Sequence, residues 1–335
     1  MKKTLILILS TFCLVACFDK PKEFENDNFG NFEALWHIID TRYCYLDYKN
    51  INWDSIYNVY SERVDENLDK RQLFDLFGEM LDELQDGHVN LYSSFDISRY
   101  RKWFTDYPNN FNSSIIFSKC YLGEKYRIAG GMRYGKIADG SIGYIYYGDF
   151  SSTFSDSNIR NIFEDFSTCE GLIIDVRHNG GGLLTNAEQL ASYFFDNDTI
   201  TGYIQHKTGN GHSDFSKPVA VKTFTHKKIE WRLPVIILTN RHSYSATNDF
   251  VCRMKYCSRA TIVGDCTGGG GGLPISSELP NGWMVRFSAS PMLDAEMQHI
   301  EWGIEPDVKI DMTSADEQAG IDTIIETAIE IILAQ

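Results

Sequence analysis

The sequence predicts an α/β fold with mostly parallel strands, preceded by a helical N-terminal subdomain. Residues 171–195 and 234–256 each have the pattern of a buried apolar strand, a polar or glycine-rich turn and a helix. Such units build parallel sheets, because the helix carries the chain back to the edge where the first strand began. Upstream, residues 28–93 have helical spacing. The 335 residues are enough for one large or two modest domains.

Three amphipathic segments support the helical subdomain. Apolar residues recur with helical spacing over 32–39, 53–60 and 73–84. The third segment runs into Gly87, and glycine commonly ends a helix. His88 is therefore expected in a loop or strand beyond this helix. A single histidine at such a place can be structural or functional.

The rest of the chain alternates strands with helices, as an α/β fold requires. Strands are predicted over 143–147, 283–287 and 306–310, and helices over 157–166 and 321–333. The polar residues 202–216 are expected to form a loop or an exposed hairpin. The aromatic stretch 94–135 shows no clear periodicity.

The N-terminus has the pattern of a secretory signal peptide. Lys2 and Lys3 precede the apolar residues 5–15, and the sequence Leu-Val-Ala-Cys that ends at Cys17 resembles a bacterial lipobox. The resemblance implies cleavage before Cys17, lipidation of this cysteine and an anchor in the bacterial cell envelope, on its periplasmic or its surface side. The predicted divisions are a lipoprotein signal peptide (1–17), a helical subdomain (18–105) and an α/β core (106–335).

Charge and cysteine content exclude several classes of function. The chain carries 31 basic and 46 acidic residues, a net charge of −15, which disfavours binding to nucleic acid. Of eight cysteines, Cys13 leaves with the signal peptide and Cys17 takes lipid, so six remain in the fold. Because these six lack zinc spacing and Cys-x-x-Cys pairs, they are expected to be buried thiols or to form a disulfide. No metal site is predicted.

Hydroxyl side chains at the second strand–helix junction are candidate nucleophiles. Ser243, Ser245 and Thr247 follow the buried strand 235–238 and precede a helix. Unpaired backbone N–H groups and the positive end of a helix stabilise an oxyanion, so a hydroxyl at this place suits acyl transfer. The same residue types also cap helices, and the junction alone does not separate the two roles.

Two glycine-rich turns, 179–182 and 268–272, lie near these elements. Neither turn has the spacing of a nucleotide-binding loop. Glycine leaves backbone N–H groups accessible, so the turns can form an oxyanion hole or an edge that pairs with a peptide. They can equally be plain tight turns.

Four segments, in the expected order, resemble the C-terminal processing peptidases, also called tail-specific proteases, and their tricorn-like branch. Residues 175–182 match the pattern Asp-x-Arg-x-Asn-x-Gly-Gly, and 243–248 aligns with a Ser-Ala-Ser-Ala-Ser-Glu segment whose nucleophile falls on Ser245. LQDGH and EWGIEPD resemble two further family elements. The resemblance spans about residues 30–310 and implies a crotonase/ClpP-like core.

The resemblance also assigns a base, although the chain departs from the family pattern at the lysine, at Gly87, where the tricorn-like branch has a helper serine, and in the spacing of Glu301, which is two rather than three residues before Gly303. The processing peptidases use a lysine, which falls here at about Gly270. The tricorn-like branch instead uses a histidine and a glutamate, which fall on His88 as the base and Glu301 as the residue that orients it. His242, just before the nucleophile segment, is a rival base.

The remaining site residues also follow from the resemblance. The N–H groups of Gly181 and Ala246 are expected to form the oxyanion hole, and Gly180, Gly182, Gly269 and Gly270 to contact the substrate. Many relatives carry a PDZ domain, but too few residues lie between His88 and Asp175 to hold one.

The sequence therefore predicts a serine peptidase that hydrolyses peptides or unfolded exported proteins through an acyl-enzyme. The alternative is a catalytically inactive envelope lipoprotein that binds a peptide or another ligand on the same scaffold, because a glycine stands at the lysine position. Neither function requires a metal or an organic cofactor. The expected partners are the peptide substrate and a membrane, reached through lipid on Cys17.

Overall fold

The computed structural model describes residues 23–334, so the predicted signal peptide and Cys17 lie outside the described residues. The helices in this range are α1 Asn28–Arg42, α2 Trp53–Ser61, α3 Lys70–Asp82, α4 Lys102–Thr105, α5 Ser113–Ile116, α6 Asp156–Asp165, α7 Leu184–Ser192, α8 Ala246–Met254, α9 Ser314–Ala319 and α10 Thr323–Leu333. The strands are β1 Asn90–Tyr92, β2 Ile97–Arg99, β3 Arg127–Ala129, β4 Met132–Ile137, β5 Ile142–Tyr147, β6 Gly171–Asp175, β7 Thr199–Ile204, β8 Val219–Thr223, β9 Val235–Thr239, β10 Ala260–Gly264, β11 Gly272–Glu278, β12 Met284–Asp294 and β13 Val308–Lys309.

The predicted parallel core is present as a seven-stranded sheet in the order β13-β10-β9-β6-β5-β4-β3. The five strands from β13 to β5 are parallel, whereas β4 and β3 are antiparallel. β6 and β9 are buried along their whole length, which explains their unbroken apolar sequences. Helices α6, α7 and α8 pack on one face of the sheet and α10 on the other.

The two strand–turn–helix units meet at one edge of this sheet. β6 and β9 are neighbours and pair in parallel, with Asp175 opposite Leu238. Because both strands run in the same direction, the turns that lead into α7 and α8 leave the sheet side by side. The carboxyl ends of parallel strands are a common place for ligand sites in α/β proteins.

A second, antiparallel sheet was not predicted from the sequence. Its order is β2-β1-β12-β7-β8, with β11 also paired to β12. β12 is longer than predicted and joins the two halves, since its first residues pair with β1 and its last with β7. The predicted helical subdomain 18–105 therefore also supplies β1 and β2 to a sheet of the core. The polar stretch predicted as a loop or hairpin overlaps β7 and the connection to β8.

The N-terminal helices cover this second sheet. α1, α2 and α3 share one apolar cluster with Trp283, Val285 and Phe287. α3 begins with a capping box, in which the Asp69 side chain accepts from the Gln72 backbone and the Gln72 side chain accepts from the Asp69 N–H. The cap fixes where α3 starts, and its apolar face fixes its orientation on the sheet.

The sequence suggested that Gly87 ends α3, but the helix already ends at Asp82. The chain reverses at Gln85, which has a φ of 47°, three residues after the last helical residue. Gly87 has another use, because a Cβ at this position would lie 2.8 Å from the Tyr244 hydroxyl. The missing side chain allows this loop to approach the β9–α8 junction, and His88 follows it.

The six cysteines in the described range form no disulfide, and five of them are buried, with Cys120 exposed. Within residues 23–334, no group of three or more His, Cys, Asp or Glu side chains is arranged to hold a metal ion. The same range contains no helix with the length and apolar content needed to cross a membrane.

Candidate active site

Ser245 lies at the junction of β9 and α8 in an unusual backbone conformation. Its φ and ψ are 60° and −119°, and its side chain does not cap α8. The two neighbouring hydroxyls are structural, since Ser243 Oγ donates to the Val176 carbonyl (2.9 Å) and Thr247 Oγ1 donates to Asn179 Oδ1 (2.7 Å). Of the three candidate hydroxyls, Ser245 is the one that opens onto cavities.

His88 reaches Ser245 from the other side of the site. Its Nε2 lies 2.9 Å from Ser245 Oγ, which is hydrogen-bond distance. The His88 side chain is buried, and burial lowers its pKa to about 4. The imidazole is therefore neutral at pH 7, which is the protonation state that a general base requires.

Asp86 holds the loop that carries His88. Its Oδ1 accepts the His88 backbone N–H at 2.7 Å, and its Oδ2 accepts from Tyr43 and Ser288 at 3.1 and 2.8 Å. Burial opposes ionisation of Asp86, but Lys49, His88 and the hydrogen bonds from the His88 N–H and from Ser288 lower its pKa below the ordinary value. Asp86 is thus a buried carboxylate that bonds to the His88 backbone and whose charge acts on the imidazole. No role for Asp86 was predicted from the sequence, although it lies within the LQDGH segment.

Glu301 was predicted to orient the His88 ring, but its carboxyl group contacts other residues. Its Oε1 pairs with Lys49 Nζ at 2.7 Å, and its Oε2 accepts the Gly271 N–H at 3.0 Å. Burial, and after it the charge of Asp86, raises the pKa of Glu301 to about 8. Lys49 also donates to the carbonyls of residues 84–85, so Glu301 is linked to the His88 loop through Lys49. Lys49 lies outside every recognised motif, and the sequence contained no signal for it.

The rival base His242 belongs to an aromatic cluster. Its ring packs against Phe104 and His178, with ring centroids 4.2 and 4.5 Å away. Burial lowers its pKa to about 4. Within residues 23–334, His242 makes no hydrogen bond to Ser245, so the geometry favours His88.

The two predicted oxyanion-hole residues lie next to each other. A Cβ added to Gly181 would lie 2.8 Å from Ser245 Cβ and 2.9 Å from Ala246 N. The Ala246 N–H, at the start of α8, has no hydrogen-bond partner among residues 23–334. The Gly181 N–H, by contrast, donates to Asn179 Oδ1 at 3.0 Å. Ala246 is therefore the available donor, and Gly181 becomes one only if its bond to Asn179 opens.

An apolar cavity of about 320 Å³ lies on one side of Ser245. Two of the glycines predicted to contact substrate, Gly182 and Gly270, line it. Most of its wall is apolar, whereas Asp249 and Arg286 also line it. The apolar side chains are those of Leu183, Leu184, Leu273, Pro274, Met292 and Ile300. A cavity of this size and composition can hold an apolar side chain of a peptide.

A second cavity, of about 600 Å³, lies on the His88 side of Ser245. Gly180 lines this cavity, and Gly182 lines both. Its polar wall includes Asn90, Arg99, Arg101 and Arg286. The nucleophile therefore lies between an apolar cavity and one with three cationic side chains.

The glycine turn 268–272 acts partly as a support. The Gly269 carbonyl accepts the Ser245 N–H at 2.9 Å, and Gly269 lines neither of the two cavities beside Ser245, so its contact with substrate stays a prediction. Gly270 has a φ of 77°, and a Cβ there would lie 2.5 Å from the Tyr244 ring. The ring occupies the space that a lysine side chain at this position would need.

The motif residues 175–179 stabilise the turn between β6 and α7. The buried Arg177 pairs with Asp175 at 2.6 Å and with Asp322 at 3.0 Å. The Asn179 side chain donates to the Tyr147 carbonyl at 2.8 Å. These contacts pair the buried charges and hold the glycine turn 180–182 in place. Residues 175–179 of the motif therefore have a structural role.

Comparison with known proteins identifies relatives for both parts of the chain. The family model described as peptidase family S41 matches residues 141–310, and the model described as tricorn protease C1 domain matches residues 24–82. The carboxy-terminal processing protease CtpB of Bacillus subtilis (strain 168) is 30% identical over 177 residues, which cover 52% of this chain and 35% of that protein. CtpA of the same organism is 25% identical over 185 residues, or 53% of this chain and 37% of that protein. The matched part thus spans little more than a third of these curated relatives.

Solved structures match over a larger share of the chain. A protein from Parabacteroides merdae ATCC 43184 is 50% identical with a TM-score of 0.89, covering 92% of this chain and 98% of that one. Mature CPAF complexed with lactacystin has a TM-score of 0.69 at 13% identity, covering 92% and 98%, and this likeness concerns the fold. The chain belongs to peptidase family S41, the family of the C-terminal processing peptidases.

Proposed function

We propose that this chain is a serine peptidase in which Ser245 is the nucleophile and His88 the general base. The observation that carries the proposal is the 2.9 Å contact between Ser245 Oγ and His88 Nε2. Ser245 belongs to the β9–α8 junction and His88 to the loop before β1, so the contact forms only when both sheets are assembled. A nucleophile paired with a neutral imidazole is the minimal arrangement for acyl transfer.

The proposed reaction has two stages. In the first, Ser245 Oγ bonds to the carbonyl carbon while its proton passes to His88 Nε2; the C–N bond then breaks and His88 gives the proton to the leaving amine. In the second, water loses a proton to His88 and attacks the acyl-ester, and Ser245 regains its proton as the product acid leaves. The Ala246 N–H and the N-terminus of α8 stabilise the oxyanion in both stages.

We assign the carboxylate that stabilises the imidazolium to Asp86 rather than to Glu301. A buried imidazole resists protonation, and the nearby charge of Asp86 acts against this by raising the His88 pKa. Asp86 also fixes the loop through the His88 N–H. Glu301 acts indirectly in this scheme, by holding Lys49 against the same loop.

The proposed substrates are peptides or unfolded exported proteins. The two cavities beside Ser245 support this proposal, since together they offer room for residues on both sides of a scissile bond. The names of the relatives, which are carboxy-terminal processing proteases, are consistent with it. We further propose that the chain acts in the bacterial envelope, anchored through lipid on Cys17, because of the lipobox-like sequence.

Labelling with a fluorophosphonate probe tests the proposal. The full-length chain should form one adduct on Ser245, located by intact mass and peptide mapping, and the adduct should be absent from Ser245→Ala and His88→Ala. His242→Ala is the matched control and should label like the wild type. If folded wild-type protein takes no label, the peptidase proposal fails and the inactive ligand-binding alternative replaces it.

A further inference from the structure

Two arginines and an asparagine are in register across three neighbouring strands beside the active site. Asn90 of β1 pairs with Arg99 of β2 on one side and with Arg286 of β12 on the other. Residues directly opposite each other in a sheet project from the same face. All three side chains line the 600 Å³ cavity that His88 and Ser245 also line. The row therefore faces the reacting groups.

The cations of this row have no carboxylate partner. Within residues 23–334, no ion pair involves Arg99, Arg101 or Arg286, and Arg286 Nη1 donates only to the neutral Asn90 Oδ1 at 3.3 Å. The buried Arg177 and Arg253, by contrast, each pair with an aspartate. Arg286 is partly buried, and such a guanidinium without a counter-ion is unfavourable unless a ligand supplies the charge, whereas Arg99 is exposed.

The charge of Arg286 also disfavours protonation of His88 when no negatively charged substrate group is bound. It lines both cavities beside Ser245, and its charge contributes to the lowered pKa of His88. When His88 takes the proton of Ser245, two cations lie close together. A carboxylate bound to Arg286 offsets this repulsion at the step where the imidazolium forms.

The position of His88 indicates which part of a substrate enters this cavity. His88 must protonate the leaving amine, so the leaving part of the peptide has to lie on the His88 side of Ser245. The cationic cavity contains His88 and Arg99, whereas the apolar cavity contains neither, and Arg286 lies at the boundary because it lines both. The acyl part therefore takes the apolar cavity and the leaving part meets the arginines.

We propose that Arg286 and Arg99 bind a carboxylate on the leaving part of the substrate and so determine specificity. This inference rests on the proposed peptidase function. The ligand chemistry is that of an acidic side chain or of the α-carboxylate at a chain end, since a guanidinium binds both in the same way, by charge-assisted hydrogen bonds. Asn90 holds Arg286 in place from the strand between the two arginines.

Four internally quenched peptides test the inference. They share one acyl part and carry Glu or Gln on the leaving side, each with a free or an amidated C-terminus. The wild type should show a kcat/KM at least about 10-fold higher for peptides with the recognised carboxylate, as expected for a charge-assisted hydrogen bond. Preference for Glu over Gln identifies a side chain, and preference for the free acid over the amide identifies the chain end.

Two variants and one control assign the preference to the row. Arg286→Gln and Arg99→Gln should each reduce the kcat/KM preference for the carboxylate peptides several-fold or abolish it. Because Arg99 is exposed, it can be replaced without disturbing the core. The matched control is Arg160→Gln, an exposed arginine on α6. Circular dichroism and fluorophosphonate labelling of each variant show that the fold and Ser245 remain intact.

Binding to the Ser245→Ala variant separates this inference from the peptidase proposal. Fluorescence anisotropy with the same four peptides should show tighter binding of the carboxylate peptides, lost in Ser245→Ala/Arg286→Gln. If the wild type neither labels nor cleaves but the preference in binding depends on Arg286, the peptidase proposal fails and the carboxylate site stands. If all four peptides bind and react within about 2-fold of one another, the carboxylate site is overturned.

Discussion

Ser245 combines a strained backbone conformation with a hydroxyl that does not cap the following helix. A positive φ on a residue with a side chain costs about 1–3 kcal/mol, and such positions cluster at functional sites. The strain is held by hydrogen bonds on both sides, from the Ser245 N–H to the Gly269 carbonyl and from the Asp249 N–H to the Ser245 carbonyl. An unstrained serine before a helix usually turns its hydroxyl to the helix N–H groups. Here the hydroxyl faces His88 instead.

The buried state of His88 predicts an unusual pH dependence. Its pKa is lowered to about 4 by burial, so the proposed base is mostly in the neutral form, which can accept a proton, above that pH. We expect the rate at which Ser245 reacts with fluorophosphonate to be nearly constant from pH 8 to about 5 and to fall below about pH 4. Stopped labelling reactions, quantified by intact mass, measure this profile.

A matched variant checks the electrostatic part of this prediction. The charge of Arg286 contributes to the lowered pKa, so Arg286→Gln should move the acid limb of the profile to higher pH. An acid limb near pH 6.5 in the wild type, the ordinary value for histidine, would contradict a buried base.

The loop after α1 and the loop before β13 are joined by a buried ion pair. Lys49 and Glu301 have side chains that are 2% and 3% exposed, and their atoms are 2.7 Å apart. Lys49 also holds the loop between α3 and β1. Three connections that are far apart in the sequence therefore meet at one lysine behind the active site.

Breaking this pair should cost far more than replacing both partners. Lys49→Met leaves the buried Asp86 carboxylate without the cation that lowers its pKa and removes the partner of Glu301, so we expect a loss of about 3–5 kcal/mol in the free energy of unfolding. Glu301→Gln keeps an acceptor for the Gly271 N–H, so the double variant Lys49→Met/Glu301→Gln should regain roughly 2 kcal/mol of that loss. Urea unfolding followed by tryptophan fluorescence measures both.

The exposed pair Arg63–Glu79 provides the control for this cycle. Its side chains are 45% and 57% exposed at a similar distance of 2.6 Å, so Arg63→Met should cost less than about 1 kcal/mol. Strictly additive losses in the Lys49 and Glu301 variants would show that the two side chains are not energetically coupled.

The residues between His88 and Asp175 are built into the two sheets. They supply β1 to β6, so within the described chain no separate PDZ domain divides the helical region from the core. His88 precedes β1 and Arg99 lies on β2 of the antiparallel sheet, whereas Ser245 follows β9 of the parallel sheet. The cavity between them exists only because both sheets are in place. Substrate recognition is therefore expected from the core itself.

The lipobox-like sequence predicts how the whole protein is attached in the cell. We expect the wild type, expressed in bacteria, to incorporate radiolabelled palmitate and to sediment with membranes, because acylation of Cys17 provides the anchor. Cys17→Ala should lose the label and appear in the soluble fraction. Cys120→Ala, which alters the exposed cysteine of the fold, is the control and should behave like the wild type. Equal labelling of wild type and Cys17→Ala would refute the anchor.

The parallel sheet could be predicted from the sequence because its signal is local. β6 and β9 are continuous apolar runs followed by turn residues and a helix, so each unit lies within about 25 residues of sequence. The antiparallel sheet has no such signal. β1 and β2 have three residues each, and Asn90 pairs with Arg286, which is 196 residues away. Pairing over that distance is decided by packing rather than by periodicity.

The sequence by itself determined the α/β class, the family pattern and the identity of Ser245 and His88 as candidates, because motif residues occupy fixed places relative to local turns. Only the tertiary structure decided which groups touch. It paired Glu301 with Lys49 rather than with His88, brought Ser288 to Asp86 and set Arg286 in register with Asn90. The physical reason is that charges and hydrogen bonds act over a few ångströms, and residues that meet at that range come from segments whose separation in the sequence carries no record of the contact.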